Sequence, residues 1–304
     1  MERCSSRIPH RRDPGAPDAP ASEPAGQPPA LTDSSHHPGG TGLAGGDPSG
    51  FVADTAVALV WIGLAVLYLL AGRAAALRGR DDWKARRTLA WSAGAGLGLA
   101  VTVGPVADAA AGSFTVHTAV HLVLGMLVPL LLVLGAPVSL FLRAVPVDVG
   151  RRFSRLLRAA PLRLLTHPVV ATLLNTLPMA FLYWDGTGLT MLHDPVIGPL
   201  LHLHFVASGT LFTYAVVGLD PNPHRAPAWL RGSMIGLSIA VHGIVAKHLY
   251  AVGDRDGQPA DTEQAAQLMY YGGDSVHVLL LVVFCAQVYG RAHSGIPSKP
   301  RAHP

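Results

Sequence analysis

The chain of 304 residues is 50% hydrophobic and only 14% charged, with a mean hydropathy of +0.35. That balance excludes an ordinary soluble domain of this length and points to a membrane protein. The net charge of +4 and isoelectric point near 9.3 do not indicate nucleic acid. The basic residues sit in short connections between apolar runs, with no nucleic-acid motif around them, so topology explains them better.

In chain order, residues 1–50 come first, rich in Pro, Gly, Ala and Ser, with no aromatic before Phe51 and no apolar leader core. They are predicted as a disordered extracytoplasmic tail, and the His36-His37 pair within it reads as solvated sequence. Seven apolar runs follow, near 55–77, 88–107, 115–142, 168–184, 196–219, 229–251 and 266–290. Each approaches the roughly 20 residues that a helix needs to cross the hydrocarbon core. Stretches such as "VALVWIGLAVLYLLAG" are apolar throughout, without period-two alternation, which selects helices over barrel strands. The expected fold is therefore all-α, a polytopic membrane bundle of about seven transmembrane helices over 51–290, with a short cytoplasmic tail at 291–304.

Pro129 and Pro137 interrupt the third run, predicting a kink or an early exit near Gly135-Ala136-Pro137. Thr166-His167-Pro168 reads as an N-cap followed by a helix-opening proline, which makes His167 a boundary residue. Cys4 lies in the tail and Cys285 in the last run, so neither a disulfide framework nor a CxxC metal motif is present.

Basic residues set the orientation. The first connection holds Arg73, Arg78, Arg80, Lys84, Arg86 and Arg87, the third Arg143, Arg151, Arg152, Arg155, Arg158 and Arg163, and the fifth Arg225 and Arg231. The second and fourth hold none, and the sixth has Arg255 among Asp254, Asp256, Asp261 and Glu263. The positive-inside rule puts the odd connections and the C-terminus in the cytoplasm and the N-terminus outside. Arg3, Arg7, Arg11 and Arg12 of the exported tail count against this but lie far from the first span.

With that orientation, His117, His121, His202, His204, His242, His248 and His277 all fall in the outer half of the bilayer, on four different helices. Ionisable residues there are costly and face a partner, the bundle interior or a water-filled path. His117 and His121 are four apart, and Asp274 and His277 three apart, so each pair shares a helix face. His202 and His204 diverge by about 200°, and His242 and His248 by about 120°, so one of each is expected to face a common centre. Imidazoles in such a place suit copper, zinc or haem iron, with Asp274 orienting His277 and with Met126, Met191 or Met269 as soft donors for Cu(I). The opposing reading is that each histidine is an interhelical hydrogen-bonding group. Lys247 is expected to snorkel to the surface.

The stretches "HTAVHLVLGMLVPLLLVLGAPVSLFLR", "THPVVATLLNTLPMAFLYW", "LHLHFVASGTLFTYAVVGLDPNP" and "QAAQLMYYGGDSVHVLL" resemble the CtaG family of multi-span bacterial cytochrome c oxidase assembly factors, associated with caa-type oxidases. The likeness covers most of the chain after about residue 55. It implies a multi-pass bacterial plasma-membrane protein, not an enzyme, that works with haem-copper oxidase subunits through delivery or insertion of copper. It reaches His117, His121, His167, His202 and His204. Alternatives are a haem-binding redox protein, since facing histidines on two helices can ligate haem, and a metal permease, against which the inner half offers no matching polar path. No GxSxG or HExxH motif supports hydrolysis.

Overall fold

A computed structural model describes residues 48–80, 82–184, 197–253 and 261–294. The two tails, most of the fourth and sixth connections, and with them Cys4, His36, His37 and Met191, lie outside the described residues. Twelve helices and no strand occur among the described residues.

Helix α1 (Pro48–Ala76) buries only a narrow stripe of Trp61, Tyr68 and Ala75, seven residues apart, while Leu59, Val60 and Leu67 are exposed. Such a helix suits lipid on most of its surface. Its stripe packs on α2 (Ala85–Thr102), where the Trp61 indole donates to Thr102 Oγ1 at 3.0 Å. Gly104, with φ +78°, then turns the chain by 53° into α3 (Pro105–Gly112).

The third apolar run is broken as its prolines predict. Helix α4 (Phe114–Leu122) passes through a π turn at Val123–Leu127 into α5 (Val128–Leu134), and α6 (Pro137–Ala144) begins after Ala136, which adopts the left-handed region at φ 51°. Pro129 has no N–H and its ring crowds the Gly125 carbonyl four residues back; the wide turn relieves that crowding. At the break, Tyr68 Oη donates to Gly135 O at 2.7 Å, and the Asp220 carboxylate accepts from Val138 and Ser139 N–H at 3.1 and 2.8 Å, capping α6.

The third connection is not a plain loop, because it holds α7 (Val147–Leu157) and α8 (Ala160–Leu165). Thr166 does not cap the next helix either. Its hydroxyl donates back to Leu162 O at 2.7 Å, and α9 (Pro168–Trp184) opens on Pro168, with His167 exposed just ahead of it. Helices α10 (Ile197–Val217), α11 (Ala228–Val252) and α12 (Thr262–Ser294) complete the bundle.

Five helical segments are long and apolar enough to cross a membrane, and six if the bent α2–α3 pair is one span. Two of the seven expected runs differ from these five in length or path. The second run is broken at Gly104, and α9 has 17 residues, about 26 Å at 1.5 Å per residue.

The helices meet in matching ends. Ser113 Oγ and Thr115 N–H, at the head of α4, donate to the Asp261 carboxylate just before α12 at 2.7 and 2.8 Å, and the His248 ring bonds the terminal carbonyl of α9, Trp184 O, at 2.7 Å. We refer to this as the histidine end. At the other, arginine end, Arg225 donates to Val217 O, Gly218 O and Gln287 Oε1, and buried Arg231 to Val216 O. These guanidiniums satisfy carbonyls that the end of α10 leaves without partners.

Candidate metal centre between two apolar layers

Two apolar clusters occupy the bundle interior. The one nearer the histidine end contains Met179, Phe205, Val245 and Met269; the one nearer the arginine end contains Ala171, Phe212, Ile235 and Leu280. Along each helix the residues between them are polar: Asn175 on α9, Ser208 on α10, Ser238 and His242 on α11, and His277 on α12. A polar belt therefore crosses the interior between two apolar layers.

His121, His242 and His277 come together there. They line one cavity of about 20 Å³ with Met126, Asn175 and Ser238, and a second of about 20 Å³ shares Met126, Asn175, Ser238 and His277. Each holds about one water-sized guest. All three histidines are buried, and the His242 and His277 rings lie 5.4 Å apart edge to face.

Their hydrogen bonds fix which nitrogen is basic. A carbonyl only accepts, so His242 Nε2, 3.0 Å from Met269 O, carries a proton, as does His277 Nδ1, 3.0 Å from Gly273 O. In the neutral rings this leaves Nδ1 of His242 and Nε2 of His277 as lone-pair donors, the latter held at 3.2 Å by the Ser238 hydroxyl. His121 Nδ1 is buried with no hydrogen-bond partner, while its ring packs on Phe205 and Tyr183 at 4.7 and 5.2 Å. A metal ion accepting its lone pair would give that unpaired nitrogen a partner.

Gly273 makes the arrangement possible. A Cβ there would lie 2.2 Å from His242 Nε2, so only glycine lets the imidazole reach the Met269 carbonyl. Both ring nitrogens of His277 are engaged by Gly273 and Ser238, so the orienting role expected of Asp274 is filled by a backbone carbonyl and a hydroxyl.

The other candidate residues lie elsewhere. The His117 and His202 rings face one another at 6.1 Å, nearer the histidine end, and buried His202 Nε2 has no hydrogen-bond partner. His204 points the other way, bonding Leu174 O on α9 at 3.1 Å, as a two-residue spacing requires. His248 stacks on Trp184 at 4.0 Å and serves the end of α9. Lys247 is exposed, its Nζ 5.3 Å above the Tyr270 ring.

Met126 lines both cavities, whereas Met269 contributes its backbone carbonyl. Met179, Asn175 and Ser238 belong to the centre without having been singled out in the sequence. The signal that finds them is their depth, midway between the two apolar layers. Among the described residues, no three His, Cys, Asp or Glu side chains stand ready to close on a metal ion. The imidazoles share a chamber, with two of them turned toward carbonyls.

Fold and centre together define a membrane protein of packed apolar helices around an internal polar belt. Residues 66–291 match the family described as cytochrome c oxidase caa3 assembly factor, and the chain belongs to that family. Over 195 residues it is 32% identical to an uncharacterized protein of Mycobacterium bovis and to one of Mycobacterium tuberculosis, and 30% identical to one of Mycobacterium leprae. In each case 62% of this chain is covered, and the chain spans 29% of the length of the relative. No solved structure matches it.

Proposed function

We propose that this membrane protein aids assembly of a bacterial caa3-type oxidase by holding Cu(I) as cargo at His121, His242 and His277 before it passes to an oxidase subunit. The observation that carries this reading is the unpaired Nδ1 of buried His121 on the wall of a cavity shared with two further imidazoles and Met126. Neutral imidazole and thioether donors without a carboxylate suit a soft monovalent ion. The Ser238 hydroxyl is an exchangeable partner, so His277 Nε2 turns to the ion without unfolding a helix.

In this reading the protein is a holder rather than an enzyme and sits in the bacterial plasma membrane. The α2–α3 pair and α9 complete seven spans, with the N-terminus outside. The positive-inside rule places the arginine end in the cytoplasm, so the His117 and His202 pair lies at the outer mouth of the centre.

The test is made in cells lacking the protein. Complementation with the wild type or with His248→Ala, whose ring serves only the end of α9, restores copper in the purified oxidase. His121→Ala combined with His277→Ala, expressed at equal level, leaves the oxidase depleted of copper. Full copper loading with that double variant sinks the proposal.

A further inference from the structure

At the arginine end, the sequence of α7, VDVGRRFSRLL, divides sharply around the helix. At about 100° per residue, Val149, Phe153, Leu156 and Leu157 fall within one arc, and Asp148, Arg151, Arg152 and Arg155 fall on the opposite one. Phe153 fastens the apolar face to the bundle through Phe141, with ring centroids 4.7 Å apart. Much of that face remains uncovered, because Val149 is 43% and Leu156 56% exposed.

Only Val145 and Pro146 separate α7 from the end of α6, so α7 is held at the level where the third apolar span ends. An amphipathic helix with a bare apolar face and a basic opposite face, at that level, is built to lie in the bilayer interface.

Its charged side borders a groove of about 540 Å³. Four arginines line it: Arg80 from the α1–α2 connection, Arg151 and Arg155 on α7, and Arg158 just beyond. Arg80 is anchored at the rim by donating to Arg143 O at 3.0 Å. Among the described residues two acids stand nearby, Asp148, 4.0 Å from the Arg151 guanidinium, and Asp82, which is paired with Arg143, so the four arginines of the groove still leave an excess of positive charge. Guanidinium forks match phosphate oxygens in pairs, and a phosphate among them would relieve their mutual repulsion. Leu142 and Val145 form an apolar wall beside the charges, suited to an amphiphile rather than a soluble anion.

We infer that this groove binds the phosphate headgroup of an acidic phospholipid, with its acyl chain along Leu142 and Val145 and α7 lying flat in the same interface. Basic pockets between membrane helices recognise such headgroups through the same chemistry. The site is independent of the histidine centre and of any role for copper.

The test uses the full chain, purified in neutral detergent and offered equal amounts of phosphatidylglycerol and phosphatidylcholine. In native mass spectrometry the wild type is expected to retain phosphatidylglycerol preferentially. A variant with Arg151→Gln, Arg155→Gln and Arg158→Gln is expected to retain at least tenfold less. Arg152→Gln, on α7 but outside the groove, is expected to behave as wild type. These arginines are exposed, so the thermal midpoint in neutral detergent should not move. Independently of any variant, phosphatidylglycerol should raise the wild-type midpoint where phosphatidylcholine does not. Equal retention by the triple variant, no preference between the two lipids, or an equal rise with inorganic phosphate alone would overturn the inference; the last outcome would identify a free-anion site.

Discussion

Two carboxylates hold helix ends together by accepting backbone hydrogen bonds, and each gives a prediction at the scale of one residue. Asp220 is 3% exposed and caps α6 through Val138 and Ser139. Asp220→Ala leaves both amides unpaired and should destabilise the protein by about 1–2 kcal/mol, read as a lower thermal midpoint, while Asp220→Asn, which keeps an acceptor, should lose less. At Asp261, burial acts to raise the carboxyl, but hydrogen bonds from Thr115 N–H and the Ser113 and Thr115 hydroxyls outweigh it and hold the pKa below its ordinary value. A depressed carboxylate stabilises the fold above its unfolded pKa of about 3.9 and loses that contribution as pH falls through the lower folded value. Hydrogen exchange at the head of α4, corrected for the intrinsic slowing of amide exchange in acid, should therefore become faster relative to the unprotected rate on acidification below about pH 4. In Asp261→Ala it should already be fast at neutral pH. At Asp82, the hydrogen bond from Arg143 likewise holds the carboxyl low, tying the first connection to the end of α6. The histidines were legible in the sequence because ionisable groups in apolar runs stand out, and the two-residue spacing showed that His202 and His204 point apart, although neither lines the cavities. Asn175 and Ser238 were not, since an isolated Ser or Asn in such a run looks like ordinary helix packing until neighbouring helices fix its depth.

At the scale of elements, α10 approaches the π turn too closely to leave room for a side chain. A Cβ on Gly209 would lie 2.2 Å from Gly125 O and 2.9 Å from the Pro129 ring. Gly209→Ala should therefore destabilise by about 1–3 kcal/mol through overpacking, whereas Gly63→Ala, with nothing within 4 Å, should be neutral or slightly stabilising. Thermal unfolding of the two variants in one detergent separates them. Gly273→Ala is the corresponding test of the centre. Its Cβ would push His242 off the Met269 carbonyl, and Cu(I) affinity should fall about 10-fold or more, as when a ligand's orienting partner is lost. The break at Gly135-Ala136-Pro137 was readable because proline chemistry is local. The π turn was not, since apolar periodicity carries no trace of one wide turn. The helices α7 and α8 were hidden for a related reason, because counting their arginines as loop charges concealed the apolar arc between them.

At the scale of the molecule, hydropathy located each apolar run but not the path of the chain through it. The bent α2–α3 pair and the 17-residue α9 differ from the five longer spans in path and length, which apolar content does not record. The layered interior explains how a polar belt persists there: Phe205, Val245 and Met269 close it on one side, and Phe212, Ile235 and Leu280 on the other. Between them, three imidazoles face a space of about one water, two with their tautomers set by backbone carbonyls and one with a nitrogen unpaired. The central claim, that this space receives copper, is tested most directly by titrating the purified protein with Cu(I) against a chromogenic competitor. The account predicts one ion bound per chain by the wild type and by His248→Ala, and none by His121→Ala combined with His277→Ala. Binding that survives the double substitution unchanged, or no binding by the wild type, would contradict it.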